Sequence, residues 1–186
     1  MSAEPFRVVV ADPPWQPKDK LPGKSRGAER NYPCMSTADL CRLVMPPLTK
    51  DAVLLLWRLA SMPQDALDIV KAWGFTPKTE IVWVKLTSKG GELGSAKLHF
   101  GMGRQVRASH EVCLVATRGR VQPQNHSTRS VFFAPVGRHS EKPEAFFDIA
   151  ESLYAGPRVE LFARRVRPGW TCVGHDVGSV LDVRAA

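Results

Sequence analysis

Apolar runs along the chain alternate with stretches whose apolar residues recur at helical spacing. Residues 8–11 form a continuous apolar run, as in a strand buried on both faces, and Pro13 and Pro14 must end it because proline donates no hydrogen bond to a ladder. The runs 52–57, 81–84 and 112–115 are of the same kind. Residues 159–162 predict a further strand, apolar except for Glu160, and a last short strand is expected around 171–174. The pattern predicts an α/β protein with a mixed, mostly parallel sheet.

Three segments between these runs predict helices. The first follows a cap at Ser36, the second begins at Pro63 and is closed by Gly74, and the third is opened by Ser140 and Pro143. Their apolar faces carry Leu40, Leu43 and Val44; Ala66, Leu67, Ile69, Val70 and Trp73; and Phe146, Phe147, Ile149, Ala150 and Leu153. We therefore expect helices on both faces of the sheet, within one domain over residues 1–186.

The composition is that of a globular, water-soluble chain. Of its 186 residues, 44% are hydrophobic and 24% charged, and no apolar run approaches the ~18–20 residues needed to span a bilayer. The first residues contain no signal peptide, which favours a cytoplasmic protein without membrane contact. The four cysteines form no Cys-x-x-Cys pair, so buried thiols are favoured over a zinc site and no metal is expected.

The charge balance favours a polyanionic partner. The formal net charge is +8, and basic residues concentrate in two segments, about 16–34 and 86–108, the second of which also holds five glycines. We expect both to be mobile loops that grip phosphates, with Tyr32 as a stacking surface; the alternative is two solvated loops without a role. The expected nucleic-acid contacts are Lys18, Lys20, Lys24, Arg26, Arg30, Tyr32, Lys85, Lys97, Arg104 and Arg107.

Asp12-Pro13-Pro14-Trp15 stands at the carboxyl end of the first predicted strand, where ligands bind in open α/β sheets. The prolines remove two backbone N–H groups, so the turn presents two acceptors, the Asp12 carboxylate and the Pro13 carbonyl. An exocyclic amine of a base offers two N–H donors and a flat ring, against which Trp15 is suited to stack. The alternative is a strand end with a buried tryptophan. Walker, dinucleotide-binding and nucleophile-elbow motifs are absent from the sequence.

This tetrapeptide is the signature of the MT-A70 family of N6-adenine methyltransferases, which the chain resembles over nearly its whole length. Further pieces in the family's order are 32–35, 56–57, 83–85, 101–103 leading to Arg107, 110–111, 116–119, 140–143, 160–164 and Trp170. The resemblance implies a Rossmann-like methyltransferase fold with S-adenosylmethionine at the carboxyl ends of the strands. The compact domain is similar to the prokaryotic and phage members.

The resemblance also implies a set of cofactor-binding residues. Lys142, expected in the first turn of a helix, would hold the cofactor's carboxylate, unless it is a surface lysine. Glu160, inside an apolar strand, would bridge the ribose or orient Arg164, unless it forms a structural ion pair with Arg164 or Arg165. The full set is Asp12, Lys142, Glu160, Leu161, Phe162, Arg164, His175 and Asp176. His175-Asp176 replaces the family's more usual Asn followed by Glu or Gln.

The implied reaction requires neither metal nor covalent intermediate. Asp12, Pro13, Pro14 and Trp15 would form the catalytic site, in which Asp12 and the Pro13 carbonyl accept both N–H bonds of an adenine N6 amine and aim its lone pair at the methyl group. DNA is the favoured substrate and RNA the alternative. A third hypothesis is a catalytically silent nucleic-acid-binding subunit, and homo- or hetero-oligomers are compatible with all three.

Overall fold

The computed structural model describes residues 4–17, 34–87, 97–101, 103, 105–137 and 141–178. Seven strands and three α-helices follow one another along this part of the chain. They are β1 (Phe6–Ala11), α1 (Thr37–Arg42), β2 (Leu48–Arg58), α2 (Pro63–Ala72), β3 (Thr76–Leu86), β4 (His110–Arg118), β5 (Val131–Pro135), α3 (Glu144–Leu153), β6 (Arg158–Leu161) and β7 (Thr171–Val173).

The seven strands form one sheet in the order β5-β3-β4-β2-β1-β6-β7. β4 runs antiparallel to β2 and β3, while the other four pairings are parallel. The three helices lie in the connections β1–β2, β2–β3 and β5–β6, each of which joins two parallel strands of the sheet. The predicted mixed, mostly parallel sheet of a Rossmann-like α/β fold is confirmed.

Helices cover both faces of the sheet, as predicted. Ile69 and Val70 of α2 and Leu40 of α1 pack with Leu54 and Leu56 on one face. On the other face Phe146, Phe147 and Ala150 of α3 pack with the alternate β2 residues Leu55 and Trp57. The alternation along β2 therefore sends successive side chains into two separate cores.

Two details of the predicted helices are wrong. Helix α1 ends at Arg42, so Leu43 is its C-cap and Val44, which is 53% exposed, lies beyond it. Leu43 already has an extended ψ of 132°, and Pro46 disfavours helical conformation in Met45 before it, so the helix does not resume. Leu67, assigned to the buried face of α2, is 38% exposed.

One strand was not predicted, and another ends one residue earlier than predicted. β5 was not predicted although residues 131–134 form an apolar run of four; it lies at the edge of the sheet, where its Val131 and Phe133 are half-exposed. β6 ends at Leu161 rather than at residue 162, because Phe162 adopts a φ of +63° and leaves the ladder.

The topology brings several chain segments to one edge of the sheet. The six mutually parallel strands all end there, and the antiparallel strand β4 begins there. Residues that follow β1, β3, β5, β6 and β7 therefore meet residues that open β4. None of the helices in the described ranges combines the length and apolar character needed to cross a bilayer.

Candidate active site

Asp12 lies directly after β1 at this edge, as predicted. Its Oδ2 accepts a hydrogen bond from the Lys142 ammonium at 2.7 Å, and 22% of its side chain is exposed. Lys142 itself is 10% exposed at the side chain and lies on the segment that joins β5 to α3. Two residues 130 positions apart thus form one ion pair at the strand ends.

The tetrapeptide is held by backbone hydrogen bonds on both sides. Trp15 N–H donates to the Pro13 carbonyl at 2.8 Å, and Met35 N–H donates to the Pro14 carbonyl at 2.8 Å. The Trp15 indole N–H donates to the Trp57 carbonyl at 3.2 Å, and only 4% of Trp15 is exposed. Since its ring lies in the core, Trp15 offers no open face to a base, and the expected stacking role is not supported. Trp15 instead anchors the turn against β2.

Lys142 is the centre of a chain of four charged side chains. Besides Asp12 it contacts Glu111 Oε2 at 3.2 Å, and Glu111 Oε1 contacts the Lys85 ammonium at 2.5 Å. Two carboxylates and two ammonium groups balance, which is the condition for keeping them partly buried. We call Asp12, Lys142, Glu111 and Lys85 the charge chain.

The charge chain shifts the pKa values of Glu111 and Lys142 in opposite directions. Burial raises the pKa of Glu111, but the positive charges of Lys142 and Lys85 outweigh burial and hold this pKa below its ordinary value. Burial lowers the pKa of Lys142, and the negative charges of Asp12 and Glu111 reverse this and raise it. Both groups are therefore fixed in their charged forms near neutral pH.

Two expectations about lysines in this site need correction. Lys142 is not in a helical turn, because α3 begins at Glu144 after Pro143 as N-cap. Its burial also excludes the alternative of a surface lysine. Lys85 is 18% exposed at the side chain and is paired with Glu111, which does not support the expected contact with phosphate.

Glu160 lies on β6, beside the charge chain. Burial raises its pKa to about 7 against the opposing charge of Arg167, and the Asp12 carboxylate raises it further. Its Oε2 has no hydrogen-bond partner among the described residues, and Arg167 Nε lies 3.8 Å from it. Glu160 thus makes a loose contact with Arg167, an arginine that the sequence analysis did not consider. Arg165 pairs instead with Glu141 and Glu144.

The elevated pKa of Glu160 predicts a measurable effect on stability. Between pH 4.5 and about 7 the folded chain keeps a proton that the unfolded chain releases, so the free energy of unfolding falls as pH rises through this window. Glu160→Gln removes this dependence. From pH 5 to pH 8 we expect the variant to gain about 2–3 kcal/mol relative to the native chain, measured by urea unfolding at both pH values.

The matched control is Glu80→Gln, which alters a strand glutamate whose side chain is 49% exposed. This substitution should change the free energy of unfolding, relative to the native chain, by the same amount at pH 5 and at pH 8. If the free energies of unfolding of Glu160→Gln and the native chain differ by the same amount at pH 5 and pH 8, the pKa shift assigned to the burial of Glu160 is contradicted.

The ends of β6 and β7 place the remaining expected cofactor residues. Leu161 is 5% exposed, and Phe162 follows it in the left-handed region, a conformation that costs a bulky residue of the order of 1 kcal/mol. Gly174 passes so close to Ala163 that a Cβ would lie 2.2 Å from its carbonyl oxygen. His175 and Asp176 follow in an exposed 3-10 turn. The close approach of these two strand ends requires glycine at position 174.

The two basic segments are described only in part. Lys18, Lys20, Lys24, Arg26, Arg30, Tyr32 and Arg104 lie outside the described residues. Lys97 is exposed, and exposed Arg107 lies with its guanidinium carbon 5.0 Å from the centre of the Phe100 ring. Of the expected nucleic-acid contacts within the described ranges, these two face solvent.

Sequence reasoning missed Glu111, Trp57 and Arg167 as parts of the site. Glu111 opens the apolar run of β4, the same signal of an acid beside buried residues that singled out Glu160. The Trp57 ring lies 5.2 Å from the Lys142 ammonium, and its indole N–H has no partner among the described residues. Arg167, 9% exposed, contacts the Phe147 ring and pairs with Glu144. Nothing in the sequence separates Arg167 from its neighbouring arginines.

A seven-stranded, mostly parallel sheet covered by helices is consistent with an α/β domain of the methyltransferase type. The MT-A70 family model matches residues 6–176, so the chain belongs to the MT-A70 family. This confirms the resemblance derived from the tetrapeptide. Members of the family use S-adenosylmethionine as methyl donor.

Three curated proteins are similar to the chain. It is 29% identical over 179 residues to the human "N(6)-adenosine-methyltransferase catalytic subunit METTL3", covering 94% of this chain and 29% of the relative. It is also 29% identical to the Drosophila melanogaster "N(6)-adenosine-methyltransferase MT-A70-like protein", covering 94% and 27%. Identity to the mouse "N(6)-adenine-specific methyltransferase METTL4" is 26%, covering 92% and 37%. The chain thus spans well under half the length of these relatives.

Proposed function

We propose that the chain transfers a methyl group from S-adenosylmethionine to the N6 amine of adenine in nucleic acid. The observation that carries the proposal is the Asp12 carboxylate, which Lys142 fixes at the carboxyl edge of the sheet. The chain that holds it belongs to the MT-A70 family. The names of the relatives, which specify N6 of adenosine or adenine, support the same target atom.

The residues at the carboxyl edge fit the proposed cofactor. The orphaned Glu160 Oε2 is an acceptor beside the charge chain, suited to the two hydroxyl donors of a ribose. Two of the three N–H donors of Lys142 engage Asp12 and Glu111, and the third is available to a carboxylate. Leu161, Phe162, Arg164, His175 and Asp176 remain predicted contacts. When bound, S-adenosylmethionine supplies a methyl group on a sulfonium.

Asp12 and Pro13 supply the acceptors for the amine. Lys142 engages Oδ2 of Asp12, which leaves Oδ1 as an acceptor, and the Pro13 carbonyl keeps a second lone pair beyond its bond to Trp15 N–H. Accepting both N–H bonds draws the nitrogen towards tetrahedral geometry and directs its lone pair outward. Because the ion pair and the prolines already hold both acceptors, little reorganisation is needed during transfer.

The proposal also specifies the kind of nucleic acid that is methylated. DNA remains the predicted substrate, as the resemblance to prokaryotic and phage members implies. RNA is the second candidate, favoured by the two relatives whose names specify adenosine. A base in a duplex must leave its stack to reach the acceptors, at a cost of a few kcal/mol that a single strand largely avoids. Single-stranded substrates are therefore expected to react faster.

The test is transfer of a labelled methyl group from S-adenosylmethionine to adenine-containing oligonucleotides of DNA and RNA, each single- and double-stranded. Nucleoside analysis of the product should place the label on N6 of adenine. Cofactor binding, measured by calorimetry, is the parallel readout. Binding of the cofactor without transfer to any of the four substrates would overturn the enzyme proposal in favour of a catalytically silent binding subunit.

A further inference from the structure

Phe100 is an exposed aromatic ring in a basic segment. It is 75% exposed, and Arg107 lies against it with the guanidinium carbon 5.0 Å from the ring centre. A guanidinium on one face of a ring contributes cation–π attraction and leaves the opposite face open. An exposed phenylalanine with one face supported by a cation is the arrangement with which single-strand binders stack bases.

Hydrogen bonds hold the backbone on both sides of Phe100. His99 N–H donates to the Lys85 carbonyl at 2.8 Å, and Gly101 N–H donates to the Ala108 carbonyl at 3.1 Å. The Ser109 hydroxyl donates to the His99 carbonyl at 2.9 Å. A Cβ on Gly101 would lie 2.2 Å from the Ala108 oxygen, so this close pairing requires glycine. Phe100 thus sits between two anchored residues, His99 and Gly101.

The anchor of this segment is also a member of the charge chain. Lys85, whose carbonyl accepts from His99 N–H, contacts Glu111 through its side chain. Glu111 contacts Lys142, which contacts Asp12. A short series of direct contacts therefore joins the segment that carries Phe100 to the proposed acceptor of the target amine.

The positive charge around Phe100 favours a nucleic acid as the partner. Residues 97–101 and 105–109 carry Lys97 and Arg107 and no carboxylate, and the whole chain has a net charge of +8. An aromatic face among cations is complementary to a base between phosphates. An apolar protein surface would leave these cations unpaired.

We propose that Phe100, supported by Arg107, is a stacking platform for a base that neighbours the target adenine in a single strand of nucleic acid. This inference rests on the proposed function and adds a residue that positions the strand. Removing the ring should weaken single-strand binding about 5- to 100-fold.

The experiment measures binding of single-stranded oligonucleotides of DNA and RNA by fluorescence anisotropy at several salt concentrations. Phe100→Ala and Phe100→Leu should both weaken binding, while Phe100→Trp should retain it, because stacking needs an aromatic face and not merely apolar volume. The slope of log affinity against log salt should be unchanged, since no phosphate contact is lost. Arg107→Ala should weaken binding and also flatten the slope.

Phe133→Ala is the matched control, because Phe133 is 50% exposed on the edge strand β5. It should bind as the native chain does. Native affinity in Phe100→Leu would overturn the proposal, as would a change of oligomeric state on sedimentation without a change in affinity. If the native chain binds strands through Phe100 but transfers no methyl group, stacking by Phe100 stands, while the enzyme proposal and the place of the base beside a target adenine fail. If the chain transfers the methyl group and Phe100→Ala changes neither binding nor transfer, the stacking proposal fails and the enzyme proposal stands.

Discussion

Asp12→Asn is expected to lower the rate of methyl transfer by about 10²–10³-fold under saturating cofactor and substrate. The amide keeps the shape of the side chain but has one acceptor oxygen, and its NH₂ group repels the amine it should bind. The variant also loses the ion pair with Lys142, which holds the acceptor in place at 2.7 Å. The measurement is kcat for transfer to the best oligonucleotide, with the N6-methyl nucleoside as product.

The control for this variant is Asp148→Asn, which removes an exposed carboxylate on α3. It should transfer at the native rate. Thermal unfolding of Asp12→Asn should remain a single cooperative transition, because Lys142 keeps Glu111 as partner. A rate within threefold of native in a folded Asp12→Asn would show that another group accepts the amine.

The parts of the site that are contiguous in sequence could be predicted. β1 is a continuous apolar run that two prolines must end, so Asp12 at its carboxyl end follows from local chemistry alone. The alternation of apolar runs and helices gave a mixed, mostly parallel sheet, but not the direction of each strand. These are local rules, and they placed the tetrapeptide correctly.

The charge chain could not be predicted, because it depends on strand register. Glu111 reaches the carboxyl edge only because β4 runs antiparallel and begins where its neighbours end. Lys142 reaches it from the β5–α3 connection, and β5 itself was missed. Sequence spacing gives no measure of such contacts, so the partners of Asp12 required the structure.

Whether an aromatic side chain can stack on a base depends on its solvent exposure, and the sequence does not give the exposure of a side chain. Trp15 was assigned a stacking role, yet its indole N–H bonds to Trp57 and its ring is buried. Phe100 received no role, yet it is the more open ring. Likewise Glu160 was recognised as a buried acid, but the path of the β6–β7 connection determines that Arg167 approaches it.

Lys142→Met should destabilise the chain by about 3–5 kcal/mol at pH 7. Methionine matches the volume of the lysine stem but leaves the carboxylates of Asp12 and Glu111 facing each other without the charge between them. In the native chain the lowered pKa of Glu111 contributes stability above its ordinary pKa, which is lost as pH falls through the folded value. The deficit of Lys142→Met should therefore be largest near neutral pH and shrink towards pH 4.

Two further variants make this result specific to the charge chain. Lys71→Met removes an exposed lysine from the last turn of α2 and should change the free energy of unfolding by less than about 0.5 kcal/mol. In Lys142→Met the Glu111 carboxylate keeps Lys85 as partner but faces Asp12 without the ammonium between them. Adding Glu111→Gln removes this repulsion, so the double variant should recover part of the lost stability, and its deficit should depend less on pH. If Lys142→Met loses the same stability at pH 4 and pH 7, Lys142 contributes through packing against Trp57 rather than through its charge.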